Sequence, residues 1–111
     1  MKLLIIDDEL GLRQSLQLIL ADEGHEVVAA ADGAQGLEAA LGAPFDAILC
    51  DVRMPALDGL EFLRRYRAAG GPALVIMMSA YGTEDAALEA MKQGAYDYVA
   101  KPFRADEIVL V

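Results

Sequence analysis

The chain reads as an open α/β fold in which five parallel strands alternate with helices packed on both faces of the sheet. Three observations predict this. Short continuous apolar stretches alternate along the 111 residues with stretches whose apolar positions follow helical spacing, the pattern of successive βαβ units. The stretches that end before Asp7, Asp51 and Ser79 are apolar at nearly every position, as strands covered on both faces are. Four of the five stop on residues that carry a carboxylate, a hydroxyl or an ammonium, namely Asp7 with Asp8, Asp51, Ser79 and Lys101. The carboxyl ends of the strands are where open α/β sheets bind their ligands.

Leu3 to Ile6 forms the first predicted strand. After Asp8, Leu12, Leu16, Ile19 and Leu20 share one face of a helix that Gly24 ends in a left-handed cap. Val27 to Ala30 is the second strand, and Leu37, Ala40 and Leu41 mark a short second helix that must stop by Pro44. Ala47 to Cys50 is the third strand, followed by a third helix with Leu60, Leu63 and Tyr66 on its inner face and Gly70 and Gly71 at its close. The fourth strand runs from Ala73 to Met78. Thr83 then caps a fourth helix, with Glu84 and Asp85 where the helix dipole favours negative charge, Ala87, Leu88 and Met91 as its apolar face, and Gly94 at its end. Tyr96 to Ala100 is the fifth strand. A fifth helix begins at Asp106 but reaches only Val111, about one and a half turns. So short a helix has little stability alone, and the expectation is a cut end in a longer parent. Right-handed crossovers set the order 2-1-3-4-5, with the second and fifth strands at the edges and a crevice between the first and third.

A chain of this length makes one domain, spanning residues 1–111. Although 56% of its residues are hydrophobic, no apolar run approaches the roughly 20 residues of a membrane span. The amino-terminal stretch lacks the form of a secretory signal, so a cytoplasmic location is expected. Cys50 is alone and cannot form an internal disulfide; at the end of an apolar strand it reads as core. The net charge of −9 argues against nucleic acid as a direct partner, since phosphate backbones are bound by basic faces. Any effect on genes requires another domain.

At a strand end, where the chain turns into a loop, adjacent Asp7 and Asp8 can both reach one site, and Asp51 joins them from the neighbouring strand. Crowded carboxylates repel one another and call for a cation. Magnesium suits the set, because it takes oxygen ligands and commonly uses one or two carboxylates plus a substrate phosphate. Three carboxylates, the Lys101 ammonium and one divalent cation are together neutral, so an incoming phosphoryl group meets no net negative charge. Taken singly, Asp8 or Asp51 reads as a helix N-cap, Ser79 as a turn residue and Lys101 as a solvated charge. Their placement at successive strand ends favours a shared site.

Asp7-Asp8-Glu9, Asp51-Val52-Arg53-Met54-Pro55 with Asp58-Gly59, Ser79-Ala80 and Lys101-Pro102-Phe103 closely resemble the receiver domain of two-component response regulators, a flavodoxin-like fold. Ser79-Ala80-Tyr81-Gly82 and Gly94-Ala95-Tyr96-Asp97-Tyr98 are most similar to receivers of the NtrC type, which precede an ATPase and a DNA-binding domain. The resemblance implies that Asp51 accepts a phosphoryl group from a sensor histidine kinase with Mg2+. Asp8 would then bind the metal directly, Asp7 largely through water, and the backbone carbonyl of Arg53 would complete the protein ligands. Lys101 would pair with phosphoryl oxygens and Ser79 would donate its hydroxyl to one of them. Ser79 and Tyr98 would form the switch, altering the surface of the fourth helix, fifth strand and fifth helix that controls an output domain and that also suits a homodimer. The activity implied is self-phosphorylation and self-dephosphorylation of Asp51 rather than turnover of a separate substrate. Arg53 and Tyr81, two residues beyond Asp51 and Ser79, are expected to shield the acyl phosphate from water.

An aspartyl phosphatase of the haloacid dehalogenase type is the alternative, since it also uses an Asp after a parallel strand, magnesium and a lysine. Such enzymes place a second Asp two residues beyond the nucleophile as general acid. Here that residue is Arg53.

Overall fold

A computed structural model describes residues 1–79 and 84–100, and the Thr83 cap, Lys101 and the fifth helix lie outside these described residues. The elements are β1 (Lys2–Ile6), α1 (Leu10–Asp22), β2 (Glu26–Ala30), α2 (Gly33–Gly42), β3 (Ala47–Asp51), α3 (Gly59–Ala68), β4 (Leu74–Ser79), α4 (Glu84–Lys92) and β5 (Asp97–Ala100). All strand pairs are parallel, in the order β2-β1-β3-β4-β5. The expected sheet order is the one observed.

Strand alternation divides the core between the two faces of the sheet. Leu4, Ile6, Ile48, Cys50 and Met77 pack with residues of α2, α3 and α4, while Leu3, Ile5, Leu49, Ile76 and Met78 pack with Leu16 and Leu20 of α1. Asp32 caps α2 through a bond from the Gln35 amide at 2.8 Å, and Asp58 caps α3 through the Glu61 amide at 2.9 Å. In α3, Phe62 stacks on Tyr66 with ring centroids 5.8 Å apart, and the Tyr66 hydroxyl accepts from the Ala73 amide at 3.0 Å. Gly70, at φ 83°, ends that helix in the left-handed conformation glycine adopts without strain. Gly24 does the same after α1. Among the described residues no helix is long and apolar enough to cross a membrane.

Helix faces depart from expectation. Ile19, Leu41, Leu88 and Met91, expected on inner faces, are exposed. Small residues are buried instead: Gly36 joins the expected Ala40 on the inner face of α2, Gly33 is buried at its start, and Ala90 is buried in α4. A Cβ on Gly36 would stand 2.4 Å from Ile6 Cδ1, so the backbone itself is the packing surface there. Strand limits also shift, as β4 includes Ser79 and β5 starts at Asp97 rather than Tyr96.

Arg67 joins α3 to the end of α4. Its Nη1 donates to the carbonyls of Gly71 and Ala73, each at 2.8 Å, and its Nη2 to the carbonyl of Gly94 at 2.9 Å. Charged donors make the stronger hydrogen bonds. Replacing Arg67 with Ala is expected to cost about 2 kcal/mol, checked by urea unfolding.

Candidate functional site

β1 and β3 are adjacent and parallel, so their carboxyl ends deliver Asp7 and Asp51 to the same edge of the sheet. Asp7 follows the last residue of β1, its amide donating to the Ala30 carbonyl at 3.2 Å, and it is fully buried. Its Oδ1 accepts from the Glu9 amide at 2.8 Å, which turns the chain and carries Asp8 outward. Asp8 is exposed, whereas Asp51, the last residue of β3, is buried at 6% exposure. One carboxylate oxygen from each of Asp7, Asp8 and Asp51 lies within 4.8 Å of the other two.

The capping roles open to these residues belong to others. Glu9 occupies the N-cap of α1 and Asp58 that of α3. The donor set is all oxygen and anionic, the chemistry that selects a hard divalent cation over zinc or copper. A single small cation, with ligands about 2.1 Å away, fits among three carboxylates this close if one of them binds through water.

The loop after β3 is held tightly against the strand that bears Asp51. The Val52 amide donates to the Met78 carbonyl at 2.9 Å, and the Gly59 amide returns to the Val52 carbonyl at 2.8 Å. A Cβ on Gly59 would stand 2.2 Å from the Asp51 carbonyl oxygen, so only glycine admits this approach. Gly33, at the start of α2, meets the other end of the loop, where a Cβ would lie 2.2 Å from the Leu57 carbonyl oxygen. Between them Ala56 sits at φ 64°, a left-handed conformation that costs a non-glycine residue about 1 kcal/mol or more. Arg53 begins the loop, exposed, and its amide approaches Asp51 Oδ1 at 3.4 Å. An open groove lined by Val52, Arg53, Met54, Pro55, Asp58 and Leu60 runs along this loop.

The other expected site residues are placed in part. Ser79 ends β4 and pairs in register with Ala100, the last residue of β5, which directly precedes Lys101 in the chain. Lys101, Tyr81 and the Ser79 side chain lie outside the described residues. Tyr98, on β5 opposite Met77, is half-buried against the core cluster that contains Leu4 and Ile6. Thus Asp7, Asp8 and Asp51 are brought together, with Arg53 beside them. Sequence reasoning gave no role to Gly59 or Arg13. Gly59 carried a signal in its place after the capping Asp58; Arg13, whose Nη1 donates to the Asp7 backbone carbonyl at 2.7 Å, carried none, since that contact depends on the tertiary turn.

The chain matches the response regulator receiver domain family over residues 3–111. It is 39% identical over 104 residues to the transcriptional regulatory protein FixJ of Bradyrhizobium diazoefficiens, covering 94% of this chain and 51% of FixJ. It is 38% identical over 107 residues to sporulation initiation phosphotransferase F of Bacillus subtilis, covering 96% of this chain and 86% of that protein. Among solved structures, NtrX from Brucella abortus superposes with a TM-score of 0.89 at 34% identity, over 96% of this chain and 24% of NtrX. The likeness to NtrX supports the NtrC-type resemblance. The chain therefore spans about half the length of FixJ and a quarter of NtrX. With the sheet order, the carboxylate cluster and a match over nearly every residue in agreement, the chain belongs to the response regulator receiver domain family.

Proposed function

We propose that this chain is a phosphorylation-activated switch that takes a phosphoryl group from a sensor histidine kinase on Asp51 in the presence of Mg2+. One observation carries the reading: the carboxylates of Asp7, Asp8 and Asp51 converge within 4.8 Å at the ends of adjacent strands, two of them buried. An Asp51 carboxylate oxygen attacks phosphorus, the bond from phosphorus to the kinase imidazole nitrogen breaks, and the imidazole leaves with the electron pair. Asp8, Asp51 and the Arg53 carbonyl would hold the cation, with Asp7 acting through water. Bound magnesium supplies neutralisation of the phosphoryl oxygens and fixes their orientation. Lys101 pairs with those oxygens, and Ser79 donates its hydroxyl to one of them as the switch engages.

Downstream, the phosphorylated state shifts Ser79 and Tyr98, and with them the surface of α4, β5 and the segment that follows. That surface controls an output domain, an ATPase with a DNA-binding domain in a parent of the NtrC type, or pairs two copies of the chain. Complete switching of a two-state equilibrium requires about 5 kcal/mol of differential stabilisation. The test is the intact mass after incubation with a small phosphodonor and Mg2+. The parent chain should gain one labile phosphoryl group and Asp51→Asn none, with its circular dichroism unchanged; an undiminished adduct in Asp51→Asn moves the acceptor elsewhere.

Adduct lifetime depends on what lies over the in-line approach of water. Neither Arg53 nor Tyr81 is a carboxylate or amide that would orient an attacking water, and a guanidinium pairs instead with phosphoryl oxygens. Self-dephosphorylation is expected to be slow. Arg53→Asn and Tyr81→Glu, singly and together, should shorten the half-life at fixed Mg2+ and pH.

A further inference from the structure

We propose that Arg13 is a positioning residue for the acidic cluster, holding the Asp7–Glu9 turn in the shape that places Asp8 for the cation. The inference rests on the magnesium reading of the site. Arg13 lies in the first turn of α1, half-buried, and its Nη1 donates to the Asp7 backbone carbonyl at 2.7 Å. Its own amide donates to the Glu9 carbonyl at 3.0 Å, and the Glu9 amide donates to Asp7 Oδ1 at 2.8 Å. One residue thus grips both ends of the turn, Asp7 by side chain and Glu9 by backbone, and Asp8 is the residue between them.

Asp8 needs that support. Among the described residues no hydrogen bond holds its carboxylate, and it is the exposed member of the cluster. Its direction is set by the peptide planes on either side. The Asp7 carbonyl belongs to the peptide that joins Asp7 to Asp8, so a bond to that oxygen fixes the plane from which the Asp8 side chain departs. Supporting partners of this kind commonly change metal affinity ten- to a hundred-fold when removed.

The charge of Arg13 makes the inference decisive in sign. If the guanidinium acted on the site only as a nearby positive charge, its removal would strengthen cation binding. If it holds the turn, its removal weakens binding. Arg13→Met keeps the aliphatic stem and lacks both donor and charge, while Arg13→Lys restores a donor of similar reach. Mg2+ titration calorimetry of the parent chain and both variants, with amide exchange at Asp8 and Glu9 in the metal-free state, separates the two. Arg13→Met should bind Mg2+ about tenfold more weakly and exchange faster at Asp8 and Glu9, with Arg13→Lys recovering most of both. Unchanged or tighter Mg2+ binding by Arg13→Met overturns the proposal. Absence of Mg2+ binding by the parent chain overturns the reading of the site, and this inference with it; unchanged amide exchange alone contradicts the tether.

Discussion

Gly59→Ala is expected to destabilise the chain by about 3 kcal/mol, the upper end of what overpacking costs in a dense core. The added Cβ would meet the Asp51 carbonyl oxygen at 2.2 Å, the Met77 methyl at 2.8 Å and Val52 Cα at 2.9 Å. Two of these are backbone atoms, so the clash is relieved only by moving α3 or the end of β3. Either movement shifts Asp51, and phosphorylation should slow as well. Gly11 in α1 supplies the control, since a Cβ there meets nothing within 4 Å. Gly11→Ala should stabilise by up to about 1 kcal/mol through helix propensity. Urea unfolding of the two variants should therefore move in opposite directions; a Gly59→Ala change within about 0.5 kcal/mol of the parent would mean that the loop after β3 is not held as described.

Asp8→Ala should abolish the rise in melting temperature that Mg2+ produces in the parent chain. A ligand that binds only the native state stabilises it by mass action, about 2.7 kcal/mol at a hundred times its dissociation constant. For a domain of this size that is a shift of roughly 10 °C or more. Asp8 is exposed and caps no helix, so the substitution removes little packing. It also removes one of three mutually repelling charges, and in chelator the variant should melt no lower than the parent. Thermal scans with and without Mg2+ check both statements. An undiminished Mg2+ shift in Asp8→Ala would place the cation away from this residue.

The sheet was legible in the sequence because its inner strands have no polar face to confuse the period. Leu3 to Ile6 and Ala47 to Cys50 are buried throughout, and only a doubly covered strand reads that way. Helix faces were less legible, for a related reason. Ala40 was legible and is buried, but counting large apolar residues also selects Ile19, Leu41, Leu88 and Met91, whereas α2 and α4 approach the core through Gly36 and Ala90. A small residue signals close approach of backbones only once the neighbour is known. At the site, Asp7, Asp8 and Asp51 were legible because parallel strands must end at one edge. Arg13 was not, and Gly59 was only through its place after Asp58, since each meets a backbone carbonyl, Asp7 in one case and Asp51 in the other, and no carbonyl announces itself in a sequence.

In the proposed function the carboxylate cluster binds the cation on which phosphoryl transfer to Asp51 depends. Peptide mapping of the chain after incubation with a small phosphodonor, in Mg2+ and in excess chelator, tests that dependence most directly. One modified peptide is expected, with the phosphoryl group on Asp51, formed in Mg2+ and lost in chelator. A phosphoryl group on any other residue, or an equal yield on Asp51 without a divalent cation, would contradict it.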